Sequence, residues 1–448
     1  MNILFVANGF PPTAYGGVEV HTFDLARNLV RRGHKVGVFC RESNANVADY
    51  YQVHEKLEGV DVLRVVNDYK EILSFKATYQ DPEIEHIFKT HLESIRPDVI
   101  HFNHWIALSA NLPQISNHLK IPSIAFLHDY WGICHRVHLR DWRGDRCPGP
   151  AQGGDCFRCV VSPEKRRAWI KKGRRWAGRF LRFALRKRIR QRLLPDPGRI
   201  IAFNTSPIDF DHRMSTFHEN LHLPQKVFVP SDFVRQTFIQ NGYEDLTIQV
   251  LPLGIEKQLP TGFTPSFPNK IQLVFIGTLL PGKGAHVLLR ALKVEKSELF
   301  QLRIYGREDA DPGYYRMLRR LSRGDERIRF EGPFPIQQRA EIYCNADVLI
   351  LPSLVHETFS LVVREALSSG TPVIASEVGA LSEIIVPGEN GFLFPPGDYH
   401  TLAALLIQIT VNPDILRDLV LPGPVSIVSF EEHVDIMEKI YRDILSNV

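Results

Sequence analysis

Short, almost continuously apolar runs alternate along the chain with stretches in which apolar residues recur every three or four positions. Ile3 to Ala7, Val348 to Leu351 and Pro372 to Ala375 are apolar at nearly every position, as strands buried on both faces of a parallel sheet are. Val18 to Val30 has helical spacing instead and stops at Gly33. The same alternation predicts strands entered at Pro97-Asp98-Val99-Ile100-His101 and over Ile121 to Leu127, Lys226 to Pro230 and Ile248 to Leu253. It resumes with strands at Leu273 to Ile276, Leu302 to Tyr305 and Ile328 to Phe334. Helices are predicted over Asp232 to Gln240 behind a Ser231 cap, over His286 to Leu292, and from Ser360 to Gly370. Strands and helices in alternation mean an α/β fold built from right-handed crossover units.

The pattern breaks once. Glu256 to Asn269 is rich in proline and has little periodicity, so it reads as a linker. A chain of 448 residues is long for one core, and the division that follows is 1–255, a linker 256–269, and 270–428. A last helix over 429–448 opens with a capping box, Ser429 and Glu432, and keeps Phe430, Val434, Met437, Tyr441 and Ile444 on one side.

Composition adds little until charge is located. Hydrophobic residues make up 44% and charged residues 23%, ordinary for a globular protein. No run approaches the roughly 18 apolar residues that cross a bilayer, and Met1 leads straight into a strand, so a cytoplasmic protein without a signal peptide is expected. The net charge is +4, but Lys165 to Arg192 holds fourteen lysines and arginines and no acid, and removing them leaves −10. Basic character confined to one segment argues against a general nucleic-acid surface. Trp169, Trp176, Phe180 and Phe183 lie along one side of that segment if it is helical, although Gly173 and Gly178 weaken a helix there. A basic helix with an aromatic face suits an anionic membrane surface, and the expected place is peripheral, at the inner face of the membrane.

Candidate chemistry sits at strand ends. The loop His356-Glu357-Thr358-Phe359-Ser360 follows a buried strand, and Glu365 lies eight residues beyond Glu357 inside the next helix, so two carboxylates offer hydroxyl acceptors near one strand mouth. Gly277 to Gly284 is a glycine-rich loop after another strand, and backbone N–H groups with Lys283 can converge there on phosphate. His128 and Asp129 end a third strand, and Asn103 and His104 a fourth. Gly16-Gly17 follows the first strand, but Gly9 belongs to no G-x-G-x-x-G and Glu42 lies too far on, so nicotinamide binding is not expected. Cys134, Cys147, Cys156 and Cys159 fall within 26 positions with one C-x2-C. That set is open to a zinc or iron-sulfur knot, to reduced thiols, or to disulfides, the last disfavoured in a cytoplasm. Cys40 and Cys344 sit in apolar runs and are expected in the core.

The E-x7-E spacing, Phe359-Ser360, Glu365-Ala366 and Gly370-Thr371-Pro372-Val373 resemble family 4 of the retaining nucleotide-sugar glycosyltransferases. Gly379, Glu383 and Gly388-Glu389-Asn390-Gly391 continue the likeness. The resemblance covers nearly the whole chain, is strongest from Ile271 to Asp398, and is interrupted by an insertion over 134–192. It implies two facing Rossmann-like domains, the GT-B fold, with a cleft between them and the terminal helix crossing back to the first. It implies a nucleotide sugar, carried by UDP, GDP or another nucleotide, and a glycan or lipid-linked acceptor. By the same resemblance Glu357 holds donor-sugar hydroxyls and His128 contacts the sugar and transition state. The N–H groups of Thr358, Phe359, Ser360 and Leu361 face the sugar and diphosphate, Glu365 grips the ribose, Gly16 and Gly17 lie near the phosphates, and the backbone from Gly332 to Phe334 meets the base. Thr278 stands where the family usually has arginine, so diphosphate affinity rests more on Lys283. With Lys283 and a helix N-terminus for the diphosphate, and no Asp-x-Asp read at a strand end, no cofactor or divalent cation is expected to be required. A nucleotide-sugar epimerase of the same fold, or a non-catalytic binding protein descended from such enzymes, are the alternatives.

Overall fold

The computed structural model describes residues 1–70, 74–161, 205–256, 270–335, 338–419 and 427–446. The polybasic stretch 165–192 and most of the linker lie outside the described residues. The chain divides into two compact units: Met1–Phe228 with Thr237–Gln249 and Ile440–Val448, and Val229–Gln236 with Val250–Lys439.

The first sheet has eight strands, β1 (Asn2–Ala7), β2 (Lys35–Glu42), β3 (Gln52–Leu57), β4 (Val60–Val66), β5 (Val99–Phe102), β6 (Ser123–Phe126), β7 (Lys226–Val229) and β8 (Ile248–Val250). Their order is β3-β4-β2-β1-β5-β6-β7-β8. The pairings from β4 through β7 are parallel, and β3 alone among the paired strands runs antiparallel, against β4. Every residue from Ile3 to Ala7 is fully buried, as the unbroken apolar run requires. β1 is flanked by β2 and β5, so the order in which strands are added reverses across it and the loops after β1 and β5 open beside one another. The loop after β1 is held by Arg64, a buried side chain on β4 that donates to the Phe10 carbonyl at 2.9 Å and pairs with Glu42 at 3.2 Å and Glu55 at 2.6 Å. Glu42 is thereby a structural partner.

The second sheet has six parallel strands, β9 (Ile271–Ile276), β10 (Phe300–Tyr305), β11 (Ile328–Gly332), β12 (Val348–Leu351), β13 (Val373–Ser376) and β14 (Gly391–Phe394). Counted from β9 their order, β11-β10-β9-β12-β13-β14, is the 3-2-1-4-5-6 of a dinucleotide-type sheet, with its switch point between β9 and β12. Alternate β9 residues feed the two cores: Ile271, Leu273 and Phe275 one, Val274 and Ile276 the other. The helix Leu361–Ser368 follows β12, and Gly370 closes the turn behind it with φ +76°, where a Cβ would be strained.

Several boundaries are shorter than the apolar runs suggest: Ser123–Phe126, Ile248–Val250 and Ile328–Gly332. Cys40 is fully buried, but Cys344, at the end of the helix Arg339–Cys344, is only half-buried and is no core residue. The terminal helix Phe430–Ser446 has the capping box, with Ser429 Oγ to Glu432 Oε2 at 2.7 Å and Glu432 N–H to Ser429 Oγ at 3.2 Å. Its final residues cluster with the first unit, where the Tyr441 hydroxyl meets His101 Nδ1 at 2.7 Å.

Candidate active site

In the second unit the loops after β9 and β12 are neighbours because their strands are. Leu354 N–H donates to the Gly282 carbonyl at 2.8 Å, and Lys283 Nζ donates to Glu357 Oε1 at 2.7 Å. Ser353 Oγ donates to the same carboxylate oxygen. Glu357 is 8% exposed, and these donors offset part of the cost of burying its carboxylate. Gly284 is left-handed at φ +73°, and a Cβ there would stand 1.7 Å from the Pro352 carbonyl oxygen. Only glycine lets the two loops approach this closely. Thr278 is exposed.

The backbone of the Glu357 loop is oriented by its carbonyls. Ala380 N–H donates to the Glu357 carbonyl at 2.8 Å, Ser231 Oγ, in the same compact unit, to that of Thr358 at 2.7 Å, and the Arg364 guanidinium to that of Phe359. Arg364 also lies flat over the Phe359 ring, 3.5 Å from its centre. Three successive carbonyls are thus taken by protein donors. The backbone N–H groups of Thr358, Phe359, Ser360 and Leu361 have no acceptor among the described residues. They open the helix Leu361–Ser368, at the positive end of its dipole, and Ser360 enters it with φ +59°. Four unsatisfied donors at a helix N-terminus suit an anion.

Gly379 makes this loop possible. Its φ is +58°, and a Cβ there would lie 2.3 Å from the Glu357 carbonyl oxygen and 2.7 Å from the Glu357 nitrogen. Gly379→Ala is therefore expected to push the loop aside and lower kcat/KM by about tenfold to a hundredfold, the range a displacement near 1 Å produces. Steady-state kinetics check it, and an unchanged kcat/KM would show that the loop's position is not critical.

Glu365, buried inside that helix, faces other partners. Arg339 contacts its Oε1, and the Tyr343 hydroxyl donates to its Oε2 at 2.9 Å. Burial pushes its pKa up, opposed by the Arg339 charge and the Tyr343 hydrogen bond. The two glutamates predicted at one strand mouth thus sit in separate hydrogen-bond sets.

In the first unit His128, at the end of β6, stacks on Phe126 with ring centres 4.4 Å apart and meets Asn103 Oδ1 at 3.3 Å. Asn103 in turn donates to Thr22 Oγ1 at 3.0 Å. Asp129 pairs with His104. Burial disfavours a charged His104, yet the charge and hydrogen bond of Asp129 outweigh it and raise its pKa, while Asp129 is lowered despite its own burial. His104, His128, Asp129, Trp105 and Trp131 line a small pocket partly open to solvent. Gly16 and Gly17 stand at the N-terminus of the helix Gly17–Arg31; Gly16, at φ −83°, needs no special conformation.

One expectation about acidic motifs needs correction. Asp309-Ala310-Asp311 does lie just beyond β10, but Asp309 pairs with Arg307 at 2.8 Å and Asp311 caps the helix Pro312–Leu321 by accepting from Gly313 and Tyr314 N–H at 3.0 and 2.9 Å. Both carboxylates have local structural tasks.

Two sequence families match this chain. The one described as Glycosyltransferase Family 4 matches residues 15–203, and the one described as Glycosyl transferases group 1 matches 270–412, so together they cover most of its length. The chain belongs to glycosyltransferase family 4. A D-inositol 3-phosphate glycosyltransferase of Corynebacterium diphtheriae is 27% identical over 88% of this chain and 81% of its own. A phosphatidyl-myo-inositol mannosyltransferase of Mycobacterium leprae is 38% identical over 31% of this chain and 36% of its own. Among solved structures, a sucrose-phosphate synthase from Thermosynechococcus elongatus superposes with TM-score 0.66 at 20% identity, over 100% of this chain and 99% of that one. The Anabaena protein Alr3699/HepE in complex with UDP and glucose gives 0.63 at 16%, over 99% of each. The fold of this glycosyltransferase is GT-B.

Of the predicted residues, the structure brings Lys283 onto Glu357 and sets Thr358 to Leu361 as a row of open donors beside them. Ser353, Arg339, Tyr343, Arg364 and Gly379 complete this site of the glycosyltransferase and were not singled out for it from sequence, Gly379 having entered only as a continuing motif. Arg339, Tyr343 and Gly379 reach the glutamates from distant parts of the chain, whereas Ser353 lies four positions before Glu357 and Arg364 points back onto its own helix start.

Proposed function

We propose that this glycosyltransferase moves a hexose from a nucleoside diphosphate donor to a hydroxyl of a glycan or lipid-linked acceptor, with retention at the anomeric carbon and without a divalent cation. The observation that carries the proposal is the set of four N–H groups at Thr358 to Leu361, which have no acceptor among the described residues, in a loop whose carbonyls are held by protein donors. A diphosphate leaving group needs cationic and N–H partners, and Lys283 beside these donors supplies both kinds where a metal ion would otherwise serve. Glu357 would hold sugar hydroxyls, Glu365 the ribose, and His128 a polar contact to the transition state. Catalysis would come from positioning and charge stabilisation, with no protein nucleophile. Of the relatives, the one named for phosphatidyl-myo-inositol fits a lipid-linked acceptor at a membrane surface, while the one named for D-inositol 3-phosphate fits a water-soluble polyol acceptor. The fourteen basic residues of 165–192 would hold the enzyme to the inner, anionic face of that membrane from the cytoplasm.

Thermal-shift screening against UDP- and GDP-sugars finds the donor, since a ligand at about 100 times its Kd adds about 2.7 kcal/mol of stability. Turnover of that donor with an inositol phosphate or lipid acceptor should give an α product from an α donor by NMR, and adding Mg²⁺ or Mn²⁺ to chelator-treated enzyme should leave the rate unchanged. An inverted product refutes retention, and chelator inhibition reversed by Mg²⁺ or Mn²⁺ refutes metal independence.

A further inference from the structure

The segment that follows His128 and Asp129 is built around sulfur. Cys147 is folded back on Leu139 by its N–H bond to the Leu139 carbonyl at 2.8 Å, with Arg140 and Arg146 paired as an antiparallel bridge beyond it. Gly149 N–H donates to the Cys147 sulfur at 3.4 Å. Cys156 and Cys159 stand on the short helix Cys156–Val161, and Cys156 has the other three thiols within electrostatic reach. A Cβ on Gly154 would come 2.8 Å from the Cys147 sulfur, so glycine there lets backbone close on it. All four cysteines are free thiols.

A buried cation beside them is the second, independent observation. Arg213 is 2% exposed, donates to the Trp131 carbonyl, and lies against the Phe217 ring at 4.4 Å. No carboxylate among the described residues pairs with it, and the acidic groups that act on it are Tyr243, Tyr79, Cys134 and Cys156. A guanidinium this deep needs an anion, and four neutral thiols do not provide one.

We propose that Cys134, Cys147, Cys156 and Cys159 bind one zinc ion as four thiolates. Zn²⁺ would displace four thiol protons and leave a centre of charge −2, which Arg213 and Arg136 then balance. A backbone N–H aimed at sulfur, as that of Gly149 is at Cys147, belongs to the outer shell that such thiolates use. The spacing matches neither of the usual iron–sulfur runs. The ion's work is structural: Cys134 N–H donates to the Tyr130 carbonyl at 2.6 Å, so a clamped knot fixes the chain that carries Trp131 and Gly132 into the pocket wall. His218, His222 and Asp245 are the group among the described residues whose donor atoms lie within 4.8 Å of one another, whereas the sulfurs are set more widely, so zinc would draw the hairpin and short helix together.

Elemental analysis of the full-length protein, purified without chelator, should find about one zinc per chain. Chelation under reducing conditions should expose four additional thiols to titration. Cys156→Ser/Cys159→Ser should lose the zinc, and His218→Ala/His222→Ala should keep it. Wild-type protein without zinc, an iron–sulfur spectrum, a disulfide among the four, or zinc lost only from the histidine variant would each overturn the proposal. The wild-type metal and thiol counts stand even if the cysteine variant fails to fold.

Discussion

Lys283→Met should lower kcat/KM for the nucleotide sugar by about a hundredfold and also destabilise the fold, and the two effects should separate in a double variant. The activity loss follows from removing a charged hydrogen bond to the diphosphate, roughly 1.5 to 3 kcal/mol, or about tenfold to more than a hundredfold. The stability loss has another origin. Lys283 Nζ sits 2.7 Å from Glu357 Oε1, and the Glu357 side chain is 10% exposed against 33% for Lys283. Deleting the cation removes the charged partner of a mostly buried carboxylate that Ser353 still contacts, a cost of about 1 to 3 kcal/mol given that one partner is part-solvated. Lys283→Met/Glu357→Gln removes the stranded charge, so denaturant unfolding should show stability regained while activity stays low. If the double variant is no more stable than Lys283→Met, the pair is a surface contact of little weight. If Lys283→Met keeps wild-type kcat/KM, the lysine does not meet the diphosphate.

The second large effect distinguishes the two glutamates. Glu365→Gln should weaken binding of the free nucleoside diphosphate about tenfold to a hundredfold, because the ribose stays with the nucleotide after transfer. The carboxylate already accepts from Arg339 and from Tyr343 at 2.9 Å, but its two oxygens have further lone pairs for ribose hydroxyls. An amide in its place turns one acceptor into a donor facing Arg339 or Tyr343, so its orientation is upset as well as its charge. Glu357→Gln should leave diphosphate binding nearly intact and lower kcat, since a contact to the departing sugar matters most as the transition state forms. Calorimetry with the diphosphate decides between them. Equal losses in both variants, or a loss in Glu357→Gln alone, would reverse the assignment.

Much of this site is legible in the chain because it lies where buried parallel strands end, and such strands announce themselves as unbroken apolar runs. Val348 to Leu351 and Ile271 to Ile276 place Glu357 and Lys283 at strand mouths, and the strand order places those mouths side by side. Two apolar strands, Val60–Val66 and Gly391–Phe394, lie outside the predicted set despite their pattern, and the rest of what escapes is set by distance or by polarity. β3, Gln52-Val53-His54-Glu55-Lys56-Leu57, is an exposed edge strand without an apolar face, so nothing in its composition separates it from a loop. Arg339 and Tyr343 reach Glu365 from a helix more than twenty positions away, and Ser231 reaches Thr358 from 127 away, contacts no periodicity encodes. Asp309-Ala310-Asp311 is different, since Asp311-Pro312 already has the form of a helix start and could have been read as a cap.

The three tethered carbonyls of the Glu357 loop have a thermodynamic consequence. A loop fastened by Ala380, Ser231 and Arg364 loses its conformational freedom when the protein folds, so a donor arriving later meets backbone that is already ordered. Rapid deuterium uptake at the amides of Thr358 to Leu361 would then mark missing acceptors and not motion, and the slowing of that uptake by a ligand would measure hydrogen bonds gained on a surface that had been still beforehand.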